Sequence, residues 1–373
     1  MIYEDLLKFP PYSLPQKEKD SKLKNTLAGA FEHHFNNCPP YRKLCQKRHI
    51  TPPLNDFEYP DLPYLPVEIF KKMRLSSVDD TAIVRSLQSS ATTSQTPSTI
   101  VIDNITRMRQ VNTLVWLLGN FLGKKRRPYV ILDVDPAAVK AGQNTISARA
   151  AAIRGFLVAA SSASYCMLPD GTGDNLKIDF DTLTAKLSKM QAENQEIVLF
   201  GFTYVLYVYV AQQLRQKGIT FSLPKASVLH IGGWKKLQNE AVDKATFNST
   251  ISDVFGIPQN QVLDIYGFTE QLGLVYIDCS DGLKRVPLTA EIIIRDPQTL
   301  APVPDGDTGL VELITPLPHS YPGIAVLLDD MGRIVTREQA EDQRYGTAFE
   351  ILGRAREAEI RGCGDILSGK MTL

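Results

Sequence analysis

Three segments of this sequence carry hydroxyl, glycine, aromatic and carboxylate groups in patterns suited to holding a nucleotide. The first is Ser89-Ser90-Ala91-Thr92-Thr93-Ser94-Gln95-Thr96-Pro97-Ser98. Small hydroxyl side chains and backbone N–H groups in such a loop can wrap a triphosphate. The same composition also makes an ordinary polar surface loop. The second, His230-Ile231-Gly232-Gly233-Trp234-Lys235-Lys236, sets a glycine pair directly after an apolar run. Paired glycines let backbone approach a flat ligand closely. Trp234 can equally pack in a core, and His230 reads first as a hydrogen-bonded structural histidine. The third is Asp264-Ile265-Tyr266-Gly267-Phe268-Thr269-Glu270. With Gly267 making a turn after a strand, the Tyr266 ring can stack on a base and the Thr269 hydroxyl can hold a phosphate oxygen. Glu270 can hold Mg²⁺, a hard cation that takes oxygen ligands. A plain strand end with a helix cap at Thr269 would use the same residues. A fourth candidate is Cys363, flanked by Gly362 and Gly364 with Arg361 beside them. An adjacent cation lowers a thiol pKa, and glycines give a thiolate reach.

These groups need a frame. Residues 20–36 are read as a helix and 62–67 as extended chain. Ala82–Leu87 and Thr99–Ile102 are read as strands on either side of the first segment, followed by a helix over Thr106–Leu122. A strand over Tyr129–Val134 and a helix over Asn144–Ala159 come next. The strand Ile197–Phe202 runs into an apolar helix over 204–217 that Gly218 stops. Then come the strand Ala226–Ile231, the helix Glu240–Phe255 and the strand Val262–Ile265. Such alternation implies an α/β fold, a mostly parallel sheet flanked by helices. Ligands bind beyond the carboxyl ends of such strands, where all three segments fall. From about residue 285 short strands dominate, over Glu291–Arg295, Gly309–Thr315 and Ala325–Leu328, with turns at 305–307 and 330–332. The division expected is therefore 1–80, a helical and extended segment packed on the core; 81–285, the nucleotide- and acyl-binding core; 286–352, a β-rich subdomain; and 353–373, a hinge and tail.

Lys plus Arg and Asp plus Glu each number 41 in 373 residues, so the chain lacks the basic excess of a nucleic-acid binder. Lys124-Lys125-Arg126-Arg127 reads as a solvated loop before a strand. Five widely spaced cysteines, Cys38, Cys45, Cys166, Cys279 and Cys363, fit neither a disulfide framework nor a zinc site. No apolar stretch reaches the roughly 18 residues of a membrane span, and the first residues lack signal-peptide character, which makes the cytoplasm the expected location.

Taken in order, the three segments resemble the adenylate-forming superfamily of acyl-CoA synthetases, peptide-synthetase adenylation domains and luciferases. Its Tyr-Gly-x-Thr-Glu motif is matched in full by Tyr266–Glu270. Within Asp329-Asp330-Met331-Gly332, Asp330 matches the aspartate that holds the ribose hydroxyls, and Gly353-Arg354 matches the hinge into a lid domain. Within the superfamily the chain resembles the LuxE-type acyl-protein synthetases, the synthetase subunits of the bacterial bioluminescence fatty-acid reductase. The resemblance rests on length, on Pro63-Tyr64-Leu65-Pro66-Val67, on His230–Lys236 and on Gly353-Arg354-Ala355-Arg356-Glu357-Ala358-Glu359-Ile360-Arg361-Gly362-Cys363. It implies an adenylate-forming large domain with a β-rich subdomain. It also implies ATP and Mg²⁺ as cofactors, a long-chain fatty acid as substrate, and a reductase partner in a hetero-oligomer. ATP would be held by Ser89, Ser90, Thr92, Thr93, Gly232, Gly233, Trp234, Tyr266, Gly267, Thr269, Asp330 and Arg354, the metal by Glu270, and the acyl group by Cys363 as a thioester.

The chain departs from the superfamily pattern in the first segment, with Ala91 and Ser94 for glycines and Ser98 for a lysine. It also has a tail of only 19 residues after the Gly-Arg hinge. A truncated tail without a full lid domain is therefore expected. An acyl-CoA or carrier ligase, and a nucleotide-binding subunit that only supports a partner reductase, are the other functions this pattern allows.

Overall fold

The computed structural model describes residues 2–88, 98–135, 145–169, 176–234 and 240–355. The chain forms two units. One gathers Met1–Leu117, Gly142–Ala151 and Phe268–Leu373, and the other Leu118–Ala141 and Ala152–Gly267. The first unit thus brings the N-terminal segment together with the β-rich region that lies far from it in sequence.

The second unit is built on parallel strands. Val198–Phe202 and Ser227–Ile231 are apolar runs buried almost throughout, as central parallel strands covered on both faces must be. The order is Val262–Tyr266, Ser227–Ile231, Val198–Phe202, Arg127–Leu132 and Ala160–Tyr165, with every pairing parallel. Residues 160–196 had no sequence assignment. They supply the strand Ala160–Tyr165, an antiparallel hairpin of Met167–Pro169 with Leu176–Ile178, and a helix over Phe180–Ala192. The first of these reads Ala-Ser-Ser-Ala-Ser-Tyr and lies at the sheet edge, where a strand needs no apolar signal. The helix starts where the Asp179 carboxylate accepts the Thr182 N–H at 3.0 Å.

The apolar helix after Phe202 is π-helical over Val205–Ala211 and α-helical over Gln212–Gln216, and it closes at Gly218 with φ 67°. The next helix runs Lys244–Phe255, four residues later than the expected start. Asp243 supplies the cap, accepting the Thr246 N–H at 2.9 Å. Phe247, Ile251, Val254 and Phe255 form its buried face, at the spacing of one helical stripe. Gly256 ends it in the left-handed conformation, and a Cβ there would lie 2.5 Å from the Phe221 carbonyl oxygen.

In the first unit the sheet order is Lys284–Arg285, Ala348–Arg354, Ala325–Thr336, Gly309–Ile314 and Glu291–Arg295, all antiparallel. Leu65–Pro66 adds in parallel to Ala325–Thr336. The turn expected at Asp330-Met331-Gly332 is instead strand, with a register shift between Met331 and Gly332. Gly332 is there for proximity, since a Cβ would meet the Glu350 carbonyl oxygen at 2.6 Å. A second small sheet has Ile83–Gln88 between Thr99–Asp103 and Thr145–Ser147. Thr145–Ser147 was expected as helix, and the α-helix itself covers only Ala148–Phe156. Asp103 caps the long helix Asn104–Leu122 through the Thr106 N–H at 2.7 Å. Among the described residues no helix is long and apolar enough to cross a membrane.

Candidate active site

Thr269–Gln271 of the first unit forms a single 3₁₀ turn after Phe268, whose extended backbone precedes it without a side-chain cap. Thr269 is therefore the first residue of the turn and not its cap. Three contacts pin the turn. The fully buried Gln271 amide donates to the Leu313 and Gly323 carbonyls, at 3.0 Å each. The Tyr321 hydroxyl donates to the Glu270 carbonyl at 2.8 Å. Gly273, at φ +96°, lies against the helix Asn104–Leu122 so closely that a Cβ would be 2.5 Å from the Gln110 Cα.

The pinned turn presents Glu270, a residue only 3% exposed. Burial raises its pKa above the usual carboxylate value, and the negative charge of Asp329 adds to this. A hydrogen bond donated by the Ser98 hydroxyl and the charge of Lys71 act against it. Ser98 is itself buried at the start of the strand Thr99–Asp103. Asp329 is raised for the same leading reason, with Glu68 and Asp330 adding to the effect and Lys71 and Arg354 opposing it. Asp330 follows on the same strand, where successive side chains alternate in direction. Its register partner is Arg354, whose Nε is 3.9 Å from the Asp330 carboxylate and whose side chain is 78% exposed.

A buried carboxylate supported by one hydroxyl is a hard oxygen donor that a divalent cation would neutralise, so Glu270 fits Mg²⁺. Among the described residues no group of three or more His, Cys, Asp or Glu stands together. The other ligands would then be oxygens of the nucleotide and water, as is usual for this ion.

In the second unit, Gly232 and Gly233 leave the strand Ser227–Ile231 at φ 91° and 57°. Both are exposed, and a Cβ on Gly233 would meet nothing within 4 Å. Conformation, and not crowding, therefore calls for glycine at Gly233, and the backbone of the pair lies open. Trp234 turns away into an aromatic cluster, edge-on to Tyr207 at 5.4 Å and to Phe247 at 6.2 Å. His230 joins it, its ring 4.5 Å from Phe247 and its Nδ1 3.0 Å from the Thr203 hydroxyl. Both residues thus take the packing role that the sequence left open, and they anchor the glycine loop. Tyr266 ends the neighbouring parallel strand, where Ile231 pairs with Ile265, and Gly267 follows it half-buried.

Within the first unit the structure therefore sets Thr269 and Glu270 in one turn, and Asp330 and Arg354 across one strand pair. In the second it sets Gly232, Gly233 and Trp234 beside Tyr266 and Gly267. Ser89, Ser90, Thr92, Thr93 and Cys363 lie outside the described residues. Sequence reasoning missed the part played by Lys71, Gln271 and Tyr321, and it passed over Asp329 for its neighbour. Gln271 could have been found from its place after the motif; the others join only through tertiary contacts. Of the cysteines, Cys38, Cys45, Cys166 and Cys279 are buried. Burial raises the Cys38 thiol, pushes Cys166 up to about 11, and pushes Cys45 and Cys279 up to about 12.

The fold is that of the adenylate-forming ligases. An open conformation of 2-hydroxyisobutyryl-CoA ligase, solved with its acyl-AMP and CoA, matches with a TM-score of 0.67 at 14% identity, over 92% of this chain and 76% of that one. The same ligase in its postadenylation state gives 0.68 at 15%, over 92% and 69%. The chain belongs to the LuxE family of acyl-protein synthetases, whose model matches residues 2–372, and it is accordingly a ligase. Similar proteins include the long-chain-fatty-acid–luciferin-component ligase of Vibrio harveyi, 26% identical over 359 residues that make up 96% of this chain and 89% of that protein. The ligase of the same name from Aliivibrio fischeri is 27% identical over 353 residues, 93% and 87% of the two chains.

Proposed function

We propose that this ligase activates a long-chain fatty acid with ATP and passes the acyl group to its own Cys363. In the first step the fatty carboxylate attacks the α-phosphorus of ATP; an acyl–phosphate bond forms and pyrophosphate leaves. In the second the Cys363 thiolate attacks the acyl carbonyl, and AMP leaves with the bonding pair.

The observation that carries the reading is the pinned Thr269–Gln271 turn with its buried Glu270–Ser98 pair, in a chain that matches the acyl-protein synthetase family from end to end. Glu270 would hold Mg²⁺, which when bound offsets phosphate charge. Catalysis at phosphorus asks mainly for such placed charge. The open backbone at Gly232 and Gly233 suits the flat base, Tyr266 offers a ring to stack on it, and Asp330 offers a carboxylate to the ribose. Ser89, Ser90, Thr92 and Thr93 are assigned to the phosphates from the sequence pattern. The fatty acid follows from the names of the similar ligases. Cys363 gains support by contrast, because the four described thiols are buried and held far from the thiolate form that acyl transfer requires. A reductase that takes the acyl group from Cys363 is the partner that fits this product.

The test uses purified protein with ATP, Mg²⁺ and a panel of fatty acids, reading ATP–pyrophosphate exchange and intact mass before and after hydroxylamine. Acyl-dependent exchange and a hydroxylamine-sensitive mass gain are expected. Cys363→Ala is expected to keep the exchange and lose the mass gain. Label that persists in Cys363→Ala and maps to another cysteine would overturn the acceptor. Absence of exchange with every acid would overturn the adenylation.

A further inference from the structure

The parallel sheet of the second unit carries a cavity at the edge opposite its glycine loop. The cavity measures about 380 Å³, and its lining includes Arg127, Glu196, Lys225, Asn260 and Gln261. That is the size of a small-ligand site. Each of these residues stands at or just before the amino end of one of four strands, Arg127–Leu132, Val198–Phe202, Ser227–Ile231 and Val262–Tyr266. Gly232, Gly233 and Tyr266 stand at the carboxyl ends of two of the same strands. From Gln261 to Tyr266, at about 3.3 Å per residue, the strand separates the two ends by about 16 Å. One phosphate group cannot serve both.

The lining is cationic, and its donors are under-used. Arg127 is the last member of the basic run Lys124-Lys125-Arg126-Arg127, whose other three residues are exposed. Its guanidinium reaches the Ser227 hydroxyl only at 3.5 Å, and its Nε lies 3.6 Å from the Glu196 carboxylate, beyond hydrogen-bond length. That Nε is buried and has no hydrogen-bond partner among the described residues. Tyr129, two residues on and on the same strand face, buries a hydroxyl that also lacks one. Buried donors without an acceptor are rare in folded proteins and point to an acceptor from outside the chain. Ser227 donates to Gln261 Oε1 at 2.8 Å, which leaves the Gln261 amide N–H groups for another acceptor. Lys225 sits exposed in a turn closed by the Ala226 N–H on the Leu223 carbonyl at 2.9 Å, and it makes no ion pair among the described residues. Against these cations the described lining sets one carboxylate, that of Glu196, 45% exposed.

We propose that this cavity binds a phosphate group, at a site separate from the nucleotide loops. A tetrahedral phosphate dianion can take the Arg127 guanidinium, the Lys225 ammonium and the carboxamide N–H groups of Asn260 and Gln261 from several directions at once. A planar carboxylate carries one charge and uses one fork. The exposed run before Arg127 adds positive potential that draws anions to this edge. Glu196 competes with the phosphate for Arg127, so its charge holds the affinity down. The basic run that reads in sequence as a solvated loop thus leads into a site.

The test titrates the whole protein by calorimetry, without ATP and at an ionic strength fixed with sodium chloride. The probes are inorganic phosphate, O-phosphoserine and succinate, and the variants are Arg127→Ala, Lys225→Ala and Glu196→Gln. Loss of one charge-assisted contact predicts phosphate affinity lower by about tenfold or more in Arg127→Ala and in Lys225→Ala. Glu196→Gln is expected to bind phosphate more tightly than wild type. The tighter of inorganic phosphate and O-phosphoserine names the source, a free ion or an organic ester. Succinate is expected to bind more weakly than either, and succinate binding as tight as phosphate would overturn the assignment to phosphate. Equal phosphate affinity in wild type, Arg127→Ala and Lys225→Ala would place the ion elsewhere and overturn the site. Lys225 is exposed, so its variant decides the matter even if Arg127→Ala fails to fold. ATP–pyrophosphate exchange is expected to be unchanged in Lys225→Ala, and a parallel loss there would make the cavity part of the nucleotide site.

Discussion

Gly273→Ala offers a sharp test of how the Thr269–Gln271 turn is held. Two costs arise from one methyl group. At φ +96° an L-residue is strained whatever the space around it, at roughly 1–2 kcal/mol. The added Cβ would also lie 2.5 Å from the Gln110 Cα and 2.7 Å from its carbonyl oxygen. Those atoms belong to the backbone of the helix Asn104–Leu122, which cannot rotate aside as a side chain could. Overpacking of this kind costs about 1–3 kcal/mol, for a total near 2–5 kcal/mol. Gly306→Ala supplies the control, because Gly306 has φ +94° with nothing within 4 Å of its Cβ, so it meets only the conformational cost. Urea denaturation at constant m-value should place Gly273→Ala well below Gly306→Ala in midpoint. Exchange activity should fall in Gly273→Ala alone, since the turn that carries Glu270 must shift. Equal midpoints for the two variants would refute the clamp between Gly273 and Gln110.

Asp330→Ala should weaken nucleotide binding by about 1–3 kcal/mol, the cost of losing hydrogen bonds to a charged acceptor, and unchanged affinity in calorimetry would remove Asp330 from the nucleotide site. Acid should destabilise the protein through His34, which is fully buried with Nδ1 2.8 Å from the Ser77 hydroxyl and a pKa held well below the usual value, first by burial and then by His33. Because the folded state binds its proton less readily than the unfolded chain, the stabilisation is complete above about pH 6.5 and falls as pH drops below it. The loss is about 1.4 kcal/mol per pH unit until the folded pKa is reached. His34→Gln, less stable at pH 7.5, should show a shallower decline between pH 6.5 and 5 in urea titrations, and an unchanged slope would show that other groups carry the effect.

Much of this protein could be read from its sequence wherever the signal is local. Val198–Phe202 and Ser227–Ile231 announce themselves as apolar runs because central parallel strands are buried on both faces. The Tyr266–Glu270 motif and the Gly232-Gly233 pair are contiguous, and the backbone geometry that glycine permits at φ 91° and 57° is a property of that residue alone. What local signals lack, the sequence could not show. The strand Ala160–Tyr165 hides in small polar residues, since a sheet edge asks little of hydrophobicity. Asp330-Met331-Gly332 has the composition of a turn, yet pairing with Gly309–Ile314 on one side and Ala348–Arg354 on the other makes it strand. Trp234 and His230 are ambiguous in sequence, and their packing on Phe247 gives them a structural place. Ser98, Lys71, Glu270 and Asp329 come from four separate stretches of chain. The parallel docking of Leu65–Pro66 beside Val326–Leu327 and the pinning of the Thr269–Gln271 turn are long-range contacts, and charges separated along a chain interact only once folding has brought them close.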